Sequence, residues 1–156
     1  MLDWKLCVRV VAADPKNTLI ESLVRREHSR AELDRKLRNK HPELSLIERL
    51  SLLNWLITER LQSDERFSEA LVRSRLNRGW GLRRIELELQ THGIDSSRID
   101  DWLGCDVASE QDRATEVLRK WLRSKKDPTR DKALRFLASR GFSFSDATEA
   151  VDSIMG

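Results

Sequence analysis

Tyrosine is absent, aromatic residues make up only 6% of the chain, and three prolines and six glycines serve 156 positions. So little turn-forming and aromatic material argues for a helical protein with large solvated faces rather than a β-sandwich. No window holds the ~18 consecutive apolar residues of a membrane span. The opening MLDWKLCVRV also lacks the apolar run of a signal peptide, so a cytoplasmic protein that meets no membrane is expected. Cys7 and Cys105 lie far apart in no metal-type spacing and read as small hydrophobes, not as a disulfide or zinc site. There is no GxxxxGK[ST] phosphate cradle, no HExxH and no nucleophile elbow. His28, His41 and His92 are scattered at helix ends and read as surface or capping groups. The adjacent acids Asp64-Glu65 and Asp100-Asp101 read as helix-dipole partners rather than as a divalent-ion site. No catalytic residue, metal or cofactor is therefore expected, and an enzyme is the less favoured reading.

What is abundant is charge, at 35% of residues. Lys plus Arg exceed Asp plus Glu by only 29 to 26, but the signs are segregated along the chain. Residues 25–40 hold seven basic against three acidic groups, residues 66–84 six against one, and residues 113–140 ten against three. Residues 86–112 reverse this, with eight acidic and one basic. Such alternation suits an extended, charge-rich partner better than a small ligand.

The densest arginine group lies in residues 63–94. Phe67, Ala70, Leu71 and Leu76, then Ile85, Leu87 and Leu89, follow helical spacing on either side of Gly79-Trp80-Gly81. Glycine there ends one helix and starts the next, and the trio is expected to form an inter-repeat junction. The Trp80 ring either fills the gap between units or stands as an exposed anchor, the former being favoured. Around it stand Arg73, Arg75, Arg78, Arg83 and Arg84. They are candidate contacts for carboxylate or phosphate, against the alternative of a solvated face pairing with Glu69, Glu86 or Glu88. A second basic run, Arg119, Lys120, Arg123, Lys125 and Lys126, competes evenly with a plain solvated helix end. Trp55, Trp102 and Trp121 lie on apolar stripes and read as core.

Helix signals recur along the chain. Asp14-Pro15 reads as a cap followed by proline at the first helical position, with Leu19, Leu23 and Val24 on one face. Ser29–Glu32 and Ser45–Glu48 are capping boxes, the second opening a helix through Leu50, Leu53, Leu56 and Ile57. Superposing the helix starts Ser29, Gly81 and Thr129 aligns Leu33, Ile85 and Ala133, then Leu37, Leu89 and Leu137, at offsets of 52 and 48 residues. His41, Gly93 and Gly141 follow in register, as do Ile99 with Leu103 and Ala147 with Val151. The predicted fold is all-α: an elongated array of three tandem three-helix repeats, about nine helices. Its divisions are an amino-terminal arm at 1–13, a short strand or an arm ordered on binding, then repeats at 14–62, 63–107 and 108–156. Connecting helices are expected at 64–78 and 109–126.

Asp64-Glu65-Arg66-Phe67, Arg73-Ser74-Arg75 and Gly79-Trp80-Gly81-Leu82-Arg83-Arg84-Ile85, closing on Leu89 and Gly93, resemble the RecX regulatory proteins of bacteria. Arg30-Ala31-Glu32-Leu33 with Lys36-Leu37, and Lys132-Ala133, Phe136-Leu137 and Arg140-Gly141-Phe142-Ser143, match the flanking repeats in order, so that the likeness covers residues 20–154. His41-Pro42 replaces a common glycine, and Trp80 a usual tyrosine. The resemblance implies three tandem three-helix repeats and a monomer that lies along the groove of the RecA recombinase filament on DNA. It implies inhibition of strand exchange, ATP hydrolysis and co-protease activity in DNA repair and the SOS response, with weak binding to single- or double-stranded DNA. The alternative is a sequence-independent nucleic-acid-binding helical protein.

Overall fold

The computed structural model describes residues 14–104 and 107–156. The expectations placed on the arm, on Cys7 and on Cys105 lie outside them. All regular elements among the described residues are helices, with no strand. The chain divides between Asp64 and Glu65 into two compact units.

The first unit holds α1 (Pro15–Arg25), α2 (Arg30–Lys40) and α3 (Leu46–Thr58). Each start is a side-chain cap predicted from the sequence. Asp14 accepts from the Lys16 amide, and Ser29–Glu32 and Ser45–Glu48 close both hydrogen bonds of their capping boxes. Each such cap contributes about 1 kcal/mol by satisfying amides that have no helical partner. Leu19, Leu33, Leu37, Leu53 and Leu56 form the core. Val24 is 80% exposed, because five residues from Leu19 it has turned some 140° around the helix. Leu50 and Ile57 also lie at the exposed margin.

Two histidines expected at helix ends are there, but inside rather than on the surface. His41 caps the C-terminus of α2, its Nε2 lying 3.0 Å from Thr18 Oγ1 of α1. His28 puts Nδ1 3.0 Å from Glu32 Oε2, and Glu32 also takes both guanidinium nitrogens of Arg26 at 3.1 Å. Burial, then the neighbouring Arg26, holds the His28 pKa below its ordinary 6.5 despite Glu32. The unfolded chain therefore takes up this proton before the folded one does. His28 contributes stability that is full above pH 6.5 and lost as the pH falls below it. Urea midpoints should fall between pH 7 and 5.5, and His28→Gln should flatten that slope; an unchanged slope would remove His28 as its source.

The second unit begins at the second residue of α4 (Asp64–Asn77) and holds the rest of that helix, α5 (Leu82–Thr91), a 3-10 turn at Ser96–Arg98, α6 (Ile99–Trp102), α7 (Glu110–Arg123), α8 (Arg130–Arg140) and α9 (Phe144–Met155). It contains two cores. Phe67, Leu71, Val72, Ile85, Leu89, Ile94 and Ile99 make one; Ala114, Leu118, Ala133, Leu137, Phe142, Ala147, Ala150 and Val151 make the other. Burial repeats at two of the aligned positions. Leu33, Ile85 and Ala133 are each fully buried, and so are Leu37, Leu89 and Leu137. Leu87 was read onto the buried stripe of α5 yet is 62% exposed, since two residues from Ile85 it sits 200° round the helix. Ala70 is exposed too, its place in the core taken by Val72. The central repeat's third helix is the single turn α6, whereas its counterpart α9 has 12 residues. The expected core tryptophans are only half-buried: Trp102 and Trp121 line the edges of these two cores, and Trp55 that of the first unit.

Candidate partner interface

Where α4 gives way to α5, the chain of the central repeat runs against the turn between α8 and α9. Gly79 has φ 73 and ends α4 in the left-handed region, as the sequence implied. Gly81 does not use that freedom: at φ −78 and ψ 157 it is extended backbone open to any residue. Glycine stands there for space. A Cβ on Gly81 would fall within the backbone of Gly141 and Phe142, and one on Gly141 would come within 2.7 Å of the Arg84 nitrogen. The Gly81 amide donates to the Arg140 carbonyl at 2.9 Å, knitting the two repeats backbone to backbone.

A glycine at the N-cap leaves the first turn of α5 without a capping side chain. Glu110 of α7 replaces it, accepting from the Leu82 amide at 2.8 Å. Arg113, one turn further along α7, pairs with Glu110 and donates to the Trp80 carbonyl. The two side chains are only 17% and 12% exposed. Desolvation dominates both: it raises the Glu110 carboxyl and lowers the Arg113 guanidinium from their usual values. This pair is not legible in the sequence, for an Arg three residues after a Glu in a charged helix looks like any surface pair.

The Trp80 ring packs on the central core and is covered by two cations, Arg84 at 3.9 Å and Arg75 at 4.9 Å from its centroid. Arg75 is spent within the fold. Its guanidinium donates to both Glu88 oxygens at 2.7 and 2.6 Å, across from α4 to α5, and the bond holds the Glu88 carboxyl below its usual range. Arg84 donates to the Ser139 carbonyl at 2.9 Å and remains exposed.

The arginines that crowd together in sequence fan out over three grooves. Arg73 lines one of about 360 Å³ with Trp102 and Leu103. Arg83 and Arg84 line another of about 380 Å³. Arg78 reaches a third, of about 480 Å³, where it meets Lys120, Arg140 and the stacked pair Trp121–Phe136, whose centroids are 5.0 Å apart. Arg119, Lys120, Arg123, Lys125 and Lys126 are all exposed. Lys120 pairs with Glu116 at 3.3 Å and Lys125 lies over Trp121 at 5.8 Å. Arg78, from the first basic run, thus shares a groove with Lys120 of the second.

The adjacent carboxylates have local work. Glu65 takes hydrogen bonds from Arg98 at 2.5 Å and the Trp102 indole at 2.7 Å, and Asp101 also pairs with Arg98. Among the described residues no three His, Cys, Asp or Glu side chains are grouped to hold a metal ion, and no helix is long and apolar enough to cross a membrane.

Fold and surface together define an all-α protein of tandem three-helix repeats whose grooves are rimmed by cations. Residues 63–103 match the family model described as RecX, second three-helix domain. The regulatory protein RecX of Herbaspirillum seropedicae is 44% identical over 86% of this chain and 87% of its own, and that of Chromohalobacter salexigens 40% identical over 89% and 91%. The crystal structure of RecX from Lactobacillus salivarius superposes with a TM-score of 0.72 at 23% identity, covering 92% of this chain and 96% of that one. This chain belongs to the RecX family of regulatory proteins.

Proposed function

We propose that this protein binds the filament of the RecA recombinase on DNA and inhibits its strand exchange, ATP hydrolysis and co-protease activity. Kinship over nearly the whole chain with proteins named as RecX regulators carries the reading. Support comes from cations free to meet an acidic or phosphate-bearing surface. Arg73, Arg78, Arg83, Arg119, Arg123 and Lys126 are exposed and make no ion pair among the described residues. Because such groups recur along the repeats, one molecule contacts successive filament subunits, and linkage of weak contacts supplies avidity. Arg75 acts at one remove, by holding Trp80 and so Arg84. Gly79, Trp80 and Gly81 serve as the junction that fixes these groups relative to one another.

The test is DNA-dependent ATP hydrolysis by a bacterial recombinase at substoichiometric amounts of this protein. The triple variant Arg73→Glu, Arg78→Glu, Arg83→Glu should keep its circular dichroism spectrum and lose about tenfold or more in inhibitory potency, or at least 1.4 kcal/mol. Undiminished inhibition would sink the role of these arginines. Binding to a naked oligonucleotide as tight as to recombinase-coated DNA would instead favour sequence-independent nucleic-acid binding; a net charge of only +3 weighs against that.

A further inference from the structure

The groove of about 380 Å³ beside the α5–α8 seam has a floor of Leu134, Phe142 and Ala147 and is flanked by Leu87 and Phe144. Leu87 is 62% and Phe144 77% exposed. Scattered apolar residues on a surface mean little, but here two large ones from different repeats face one groove. Its charged lining consists of Arg83 and Arg84 alone, with no carboxylate. Arg84 is held in place by the Trp80 ring and the Ser139 carbonyl, while Arg83 has no ion-pair partner among the described residues.

We propose that this groove docks an acidic peptide segment bearing bulky apolar anchors, an amphipathic helix whose apolar face meets Leu87, Leu134 and Phe144 and whose carboxylates meet Arg83 and Arg84. An apolar floor with a purely cationic rim complements that chemistry. A second copy docking the same face about a twofold axis would set arginine against arginine. Single-stranded nucleic acid calls for a file of cations along its phosphates, and the groove offers two. The inference goes beyond the filament reading and stands on the groove whichever protein supplies the peptide.

The probe is a fluorescein-labelled synthetic helix of about 14 residues, with Leu or Phe at i, i+3 and i+7 and Glu on the remaining faces. Fluorescence anisotropy with the full chain should show saturable binding. Leu87→Ser, Phe144→Ser and Arg83→Glu should each weaken it about tenfold or more. Both apolar side chains are solvent-facing, so these variants should keep the fold, as circular dichroism would verify. A peptide with its anchors changed to alanine, or with Glu changed to Lys, should bind much more weakly. No saturable binding, or binding indifferent to all three variants, overturns the proposal. So does preferential displacement of the probe by a mixed-sequence oligonucleotide, or sedimentation showing a dimer that Phe144→Ser dissociates.

Discussion

Gly81→Ala should destabilise the unit formed by α4–α9 by about 3 kcal/mol or more, the upper range for forcing a methyl into a packed site. The new Cβ meets the carbonyl carbon and oxygen of Gly141 and the amide of Phe142, main-chain atoms that cannot swing aside as a flexible side chain would. To admit it, the α8–α9 turn must retreat, and with it goes the hydrogen bond from the Gly81 amide to the Arg140 carbonyl. Gly104→Ala is the control: among the described residues its Cβ would meet only Val107 at 3.9 Å, and the change should stay within about 0.5 kcal/mol. Urea unfolding followed by circular dichroism measures both. If Gly81→Ala lay within 1 kcal/mol of the parent, the seam would be looser than its geometry implies.

The second large effect belongs to Arg113. Arg113→Met keeps most of the volume but strands the Glu110 carboxylate in a desolvated place and removes a donor from the Trp80 carbonyl. Breaking a fully buried pair from one side costs about 3–5 kcal/mol, mostly the penalty of the charge left behind; for this partly buried pair about 2–3 kcal/mol is expected. Adding Glu110→Gln removes that charge while keeping an acceptor for the Leu82 amide, so the double variant should be more stable than Arg113→Met alone. Additive losses would show that the two groups act independently. The cycle thus separates an electrostatic partnership from a purely steric contribution.

The sequence disclosed whatever is settled within a few residues. The caps at Asp14, Ser29, Ser45 and Thr129 were readable because each bonds an amide two or three positions on. The equivalence of Leu33, Ile85 and Ala133 followed from spacing alone, and all three are buried. The arginines were not readable, since their neighbours come from far along the chain. Arg75 ends on Glu88, 13 residues away, and Arg84 on Ser139, 55 away. A run of basic letters therefore looked like one patch, although Arg75 is spent on Glu88 and Arg73, Arg78, Arg83 and Arg84 line three grooves. Leu87 was misplaced by being grouped with Ile85 and Leu89, although the helical period puts it 200° from Ile85, on the exposed side.

The shared seam bears on how this chain could be divided. A cut near residue 107 follows the sequence repeat, yet it would strip Gly81 of the Arg140 carbonyl, Leu82 of Glu110 and the Trp80 carbonyl of Arg113 in one stroke. Anyone transplanting a single module into another scaffold would inherit a wound of unmet polar groups. What recurs in the sequence is one repeat; for the last two, the smallest transferable physical unit is the pair.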